Sequence, residues 1–102
     1  MILSTTENIG KDYEVVGLVE GSVVQSRHIG RDILAGLKTI IGGEIKSYSD
    51  LMETSRKVAN QRMIDSAKSK GANAIVSIKY QTADVMQGAA EVMVYGTAVK
   101  TK

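Results

Sequence analysis

His28, Arg31 and Asp32 are the side chains whose types and spacing come closest to chemistry in this chain of 102 residues. His28 and Asp32 stand four apart at the mouth of an expected helix, so an imidazole and a carboxylate could reach one metal ion from the same side. Further ligands would have to come from other subunits around an axis. The donor supply argues against this: there is no Cys and a single His, whereas soft heavy metals favour thiolate and imidazole. A lone His without fixed partners is more simply a solvent-facing or capping residue. Met52, Met63, Met86 and Met93 offer thioethers, but Met52 and Met63 fall on a helical stripe, where methionine usually fills gaps in a core. A metal ion is thus the one cofactor the residues leave open.

Arg31–Asp32 also has the form of an anion clamp or acid–base pair. Adjacent opposite charges at a helix start are more often structural, the Asp answering the helix dipole and the Arg reaching a neighbouring chain. Gly42–Gly43 could bring backbone N–H groups to a phosphate. No Gly-x-x-x-x-Gly-Lys-Ser/Thr run or dinucleotide fingerprint accompanies them, so a helix stop and turn is the preferred reading. Nucleophilic catalysis lacks a Gly-x-Ser-x-Gly elbow and has one His to draw on. The 11 carboxylates form no pair that the expected elements bring into one cleft. A hydrolase would need a composite site built by several chains, and no enzyme activity is expected.

Residues 12–26 read as the first strand, with Tyr13, Val15, Val19 and Val23 on one parity and Val16, Leu18 and Val24 on the other. Apolar residues on both faces imply a strand covered on both sides. Gly17 and Gly21 predict a bend, a bulge or a close backbone approach. Residues 31–41 shift to helical spacing through Ile33, Leu34, Leu37, Ile40 and Ile41, and Gly42 closes that short helix. Gly36 weakens it by about 1 kcal/mol relative to Ala.

Residues 49–70 predict the long helix. Leu51, Met52, Ser55, Val58, Ala59, Met63 and Ala67 form one stripe, rich in small side chains, so its packing partner must come close. Ser47 with Asp50, and Asp50 with Glu53, supply capping signals, and Lys68, Lys70 and Gly71 mark the end. Ile64 falls off the stripe; a single exposed Ile is unremarkable, and it is a place to look for a subunit contact. Residues 73–82 alternate, with Ala74, Val76, Ile78 and Tyr80 opposed to Ser77, Lys79 and Gln81 and Ile75 out of phase. Residues 83–89 are expected as a hairpin connection. Residues 91–101 form the last strand, again apolar on both faces.

The whole chain reads as a single α+β domain, residues 1–102, of ordinary globular composition: 43% hydrophobic and 24% charged. A net charge of +2 with Lys and Arg dispersed gives no nucleic-acid surface. No apolar run approaches the roughly 20 residues of a membrane span. Residues Met1–Thr6 lack the charged and apolar regions of a secretory leader. A cytoplasmic protein is expected. There is no Phe and no Trp, only 4 Tyr, so the core rests on aliphatic side chains. A thin core of this kind gains burial from other copies of the chain, and the doubly apolar strands point the same way. The expected partner is therefore the chain itself.

Arg31–Asp32 followed by Ala35–Gly36, Gly42–Gly43 with Tyr48 shortly after, Gly71–Ala72–Asn73–Ala74 and Gly96–Thr97–Ala98–Val99 follow one another in the order seen in the small bacterial YbjQ-like proteins. The chain resembles that family across almost its whole length. The family is described as of unknown function or as heavy-metal-binding. The resemblance implies a two-layer, dodecin-like subunit: an antiparallel three-stranded sheet on one long helix, with a further short helix. It further implies that five subunits close into a ring, with short strands stitching neighbours together. It brings no agreed catalytic residues. Arg31, Asp32, Gly36, Gly42, Gly43, Tyr48, Gly71, Asn73, Gly96 and Thr97 are expected to be structural or interface positions.

Overall fold

The computed structural model describes residues 1–26, 48–86 and 89–102. Four strands and one long helix make up these residues: β1 Ile2–Leu3, β2 Tyr13–Ser26, α1 Tyr48–Ser69, β3 Ala74–Met86 and β4 Ala89–Thr101. The sheet order is β1-β3-β4-β2. β4 pairs antiparallel with β2 and β3, and β1 pairs parallel with β3. The sheet is therefore four-stranded and mixed, not the three-stranded antiparallel sheet expected. The extra strand was not legible because two residues at an edge carry no periodicity. The predicted helix over 31–41, with Gly42–Gly43, lies outside the described residues, as does Ser47.

α1 covers one face of the sheet, chiefly over β2 and β4. Its buried stripe is Ser55, Ala59, Met63 and Ala67, with Thr54 beside it, and Val58 is half-buried. Small side chains let the helix settle close. At Gly21 the approach is so tight that a Cβ would collide with the Ala59 carbonyl oxygen and stand 2.7 Å from the Met63 nitrogen. Val19, Val23, Ile75, Ile78, Val94 and Ala98 complete this core. Ile64, read from the sequence as lying off the stripe and exposed, is half-buried and packs against the same core. The helix ends in a Schellman motif: Gly71 takes φ +81°, its N–H donates to Lys68 O (3.0 Å), and Ala72 N–H donates to Ala67 O (3.1 Å).

Two irregularities decide which residues face the helix. In β2 the register slips between Val15, opposite Val99, and Gly17, opposite Ala98. Tyr13 and Val15 therefore face away from the helix while Val19, Gly21 and Val23 face it, although simple alternation places Tyr13, Val15, Val19 and Val23 together. In β3 the slip lies between Val76, opposite Thr97, and Lys79, opposite Tyr95. Ser77 absorbs it with φ +54°. Ala74 and Val76 thus belong to the outer face, and Ile75 and Ile78 to the helix side. Ile75 breaks the alternation because the bulge shifts the phase after it. β3 and β4 also run on to Met86 and from Ala89, so the connection is shorter than the expected 83–89.

The outer face has a small core of its own. Ala74, Val76 and Val99 are buried there, with Ile9 and Tyr13 packed on them. The N-terminal segment lies along β3 and follows its bulge: Ser4 N–H donates to Ile75 O (2.9 Å), Ile78 N–H to Ser4 O (3.0 Å) and Ser77 N–H to Thr6 O (3.3 Å). Backbone donors displaced by the slip are thereby satisfied, as buried N–H groups require.

Candidate functional site

The long strand β2 forms one edge of the sheet, and among the described residues its outer face carries the most exposed apolar side chains. Val15 is 67% exposed and Leu18 66%, with Val16 and Val24 exposed as well. Beside them on β4 lie the half-buried Met93, Tyr95 and Thr97. The register orders this face in rows across the strands: Leu18–Thr97–Val76, Glu20–Tyr95–Lys79 and Ser22–Met93–Gln81. The first strand is indeed apolar on both faces, but Val15, Leu18 and Val24 on its outer face stand exposed. Long apolar edge strands invite pairing with another chain.

Two helix cations guard part of that edge. Arg62 Nη1 donates to Ser22 O (2.6 Å) and Lys70 Nζ to Leu18 O (3.1 Å). Arg62 on α1 and Lys70 just past its end each reach a β2 carbonyl, so the middle of the strand already holds partners. Sequence reasoning missed both, because a lysine read as a helix-end signal gives no hint of the carbonyl it will find 52 residues away.

An open depression of about 560 Å³ lies at the N-terminal loop, lined by Glu7, Asn8, Lys11, Asp12, Tyr13 and Lys102. Tyr13 O–H donates to Glu7 O (2.9 Å), and Gly10 N–H donates to Asn8 Oδ1 (2.8 Å). The lining carries two ammonium and two carboxylate side chains, so it selects neither cation nor anion. It lacks the convergent polar groups and enclosing walls of a small-molecule site.

The candidate residues from the sequence divide sharply. His28, Arg31, Asp32, Gly36, Gly42 and Gly43 lie outside the described residues. Tyr48 opens α1. Gly71 forms the helix stop. Asn73 clips the end of β4: its Oδ1 accepts from Thr101 N–H (2.9 Å) and its Nδ2 donates to Thr101 Oγ1 (3.0 Å). Gly96 is buried opposite the β3 bulge, where a Cβ would meet Ile75 Cγ2 at 2.8 Å. Thr97 is half-buried in the row between Leu18 and Val76. Gly71, Asn73 and Gly96 work within the fold and converge on no cavity.

For a metal, the described residues do not fit: no group of three His, Cys, Asp or Glu side chains comes together among them. With no Cys in the chain, a soft ion lacks its preferred donors. Among the described residues no helix is long and apolar enough to cross a membrane.

A two-layer α+β fold with an open apolar sheet edge is the class of protein these features define. The chain belongs to the YbjQ family, whose sequence profile, described as "Putative heavy-metal-binding", matches residues 1–102. It is 54% identical over 101 residues to a UPF0145 protein of Clostridium novyi, covering 98% of each chain. It is 54% identical over 104 residues to a UPF0145 protein of Colwellia psychrerythraea, covering 100% of this chain and 99% of the relative. A crystal structure of a protein of unknown function from Pediococcus pentosaceus, assigned to the DUF74 family, superposes with a TM-score of 0.67 at 18% identity, over 100% of this chain and 98% of that one. That likeness establishes the fold alone.

Proposed function

We propose that this chain is a non-enzymatic subunit of a homo-oligomer that serves as a binding or scaffold module in the cytoplasm. The observation that carries the reading is the exposed apolar stretch on the outer face of β2, with Val15 67% and Leu18 66% exposed. Fully burying a Val or Leu side chain contributes about 1.5–3 kcal/mol, a large gain for a domain with no Phe or Trp in its core. The pentameric ring is the stoichiometry that the family resemblance supports. Ligands would then sit in crevices between subunits, where several copies of one residue meet around an axis. Native mass spectrometry of the purified chain tests this. The expected result is a closed oligomer, and a well-folded monomer at low micromolar concentration overturns the proposal.

The family's heavy-metal description supports a second reading, in which His28, Arg31 and Asp32 bind a metal ion or small anion at a subunit boundary. Calorimetric titration of divalent metals and of inorganic phosphate, against a His28→Ala control, separates it from the first. Saturable heat that disappears in the variant supports the site. Absent or unchanged heat removes it.

A further inference from the structure

Residues 1–12 run past buried apolar side chains without being buried themselves. Ten of the twelve are exposed, and Ser4 and Ile9 are half-buried. Under Ile9 and Tyr13 lie Ala74, Val76 and Val99, the small core of the outer face. The hold of the segment on the sheet is polar. Ile2 N–H donates to Asn73 O (3.3 Å) and Ser4 N–H to Ile75 O (2.9 Å), and in return Ile78 N–H donates to Ser4 O (3.0 Å) and Ser77 N–H to Thr6 O (3.3 Å). Successive N–H groups of a regular strand point to opposite edges. Ser77 and Ile78 both point to the N-terminal segment because Ser77 takes φ +54° within the β3 slip.

The segment is also bonded to itself at every second residue. Thr6 N–H donates to Ser4 Oγ (3.0 Å), the Thr6 hydroxyl to Asn8 O (2.9 Å) and Gly10 N–H to Asn8 Oδ1 (2.8 Å). Ser4 Oγ and Thr6 Oγ1 stand 2.8 Å apart. A hydroxyl carries one proton, and that of Thr6 goes to Asn8, so Ser4 is the donor of this pair. At the far end Gly10 takes φ +76°, and nothing lies within 4 Å of where its Cβ would stand. Exposed hydrogen bonds with few buried apolar contacts put a segment at the low end of local stability. The internal bonds from Ser4 to Gly10 oppose piecemeal fraying from Met1 inward.

We propose that residues 1–9 are a strap that opens and closes as one unit about Gly10, with the paired donors of Ser77 and Ile78 as its catch. Opening lifts Ile9 away and bares Ala74, Val76 and Val99. The register joins these to the exposed face of β2: Ile2, Ala74, Val99 and Val15 form one row across all four strands, and Val76, Thr97 and Leu18 form another. The strap therefore sets how far the open apolar face reaches. With the strap closed it is centred on β2, and with the strap open it runs through β4 to β3. Opening is a motion within one chain and needs no second copy.

Amide exchange of the full chain tests the strap. The Ser4, Ser77 and Ile78 amides should share one protection factor, roughly tenfold or more below that of Val94 and Ala98 in the central strand. Thr6→Val deletes both hydroxyl bonds and should speed exchange at all three roughly fivefold, with Val94 and Ala98 unchanged. A second readout follows the bared surface. The chain has no Cys, so Val76→Cys sets a single thiol under the strap and Val94→Cys sets one in the core under α1. A thiol reagent should label the first faster than the second. Adding Thr6→Val should raise the first rate roughly fivefold and leave the second as it was. Protection at Ser77 and Ile78 equal to that at Val94, a Thr6→Val effect confined to residues 6–8, or labelling of Val76→Cys indifferent to Thr6→Val would each overturn the strap. Should a cysteine variant fail to fold, exchange in the wild type and in Thr6→Val decides.

Discussion

Replacing Gly21 with Ala adds one methyl group at the point where α1 comes nearest to the sheet. That methyl would overlap the Ala59 carbonyl oxygen and lie 2.7 Å from the Met63 nitrogen, where ordinary contact begins at 3.4 Å. Both obstacles are helix backbone, so no rotamer change relieves them and the helix itself must withdraw by about 1 Å. A gap of 0.5–1 Å forfeits roughly a quarter to a half of each dispersion contact it opens. The contacts at risk join Met63, Ala59 and Ala67 to Val19, Val23 and Val94, all buried. Overpacking costs about 1–3 kcal/mol, and a rigid obstacle places this site at the upper end. The gain from removing a glycine from a strand is about 0.5–1 kcal/mol in the opposite direction. The expected net loss is about 2 kcal/mol, or roughly 8–16 °C in Tm for a domain of this size. Urea and thermal unfolding at fixed protein concentration measure it, since any association of copies would make stability concentration-dependent. A loss below about 0.5 kcal/mol would show that the close approach of helix and sheet is not a constraint on the fold.

Asn73→Ala removes both hydrogen bonds to Thr101 and should cost about 1–2 kcal/mol, with faster amide exchange at Thr101; Asn73→Asp keeps the acceptor and should recover the Thr101 amide protection. Ser77 holds a left-handed φ at the β3 bulge, so Ser77→Gly should be tolerated within about 0.5 kcal/mol, whereas Ser77→Val should cost more than about 1 kcal/mol. Equal effects of the two substitutions in chemical denaturation would refute a backbone origin. Met63→Ala should cost about 2–5 kcal/mol, read from the same curves. A cost below that range would mean the surrounding alanines collapse into the space.

Helix α1 was legible in the sequence to within a residue at each end, because Ser55, Ala59, Met63 and Ala67 recur at a period that fits no other element, and Gly71 supplies a stop with a known geometry. The three long strands were legible as strands for the same reason. Their faces were not. Alternation assumes an unbroken pleat, and the slips at Val15/Gly17 and Val76/Lys79 each reverse it, so Tyr13 and Val15 part from Val19, and Val76 parts from Ile78. The Val15–Val16–Gly17 run signals that a bulge is affordable, but only the partner strand fixes where it falls. His28, Arg31 and Asp32, the residues that looked most chemical, lie outside the described residues, while the surface that stands open is carried by plain aliphatic side chains. Composition determined that the core would be aliphatic, thin and free of thiolate chemistry. Tertiary structure alone decided that Ile2 and Val15 end one row and Lys79 and Glu20 another, because side-chain period is local whereas register is set by pairing between strands tens of residues apart.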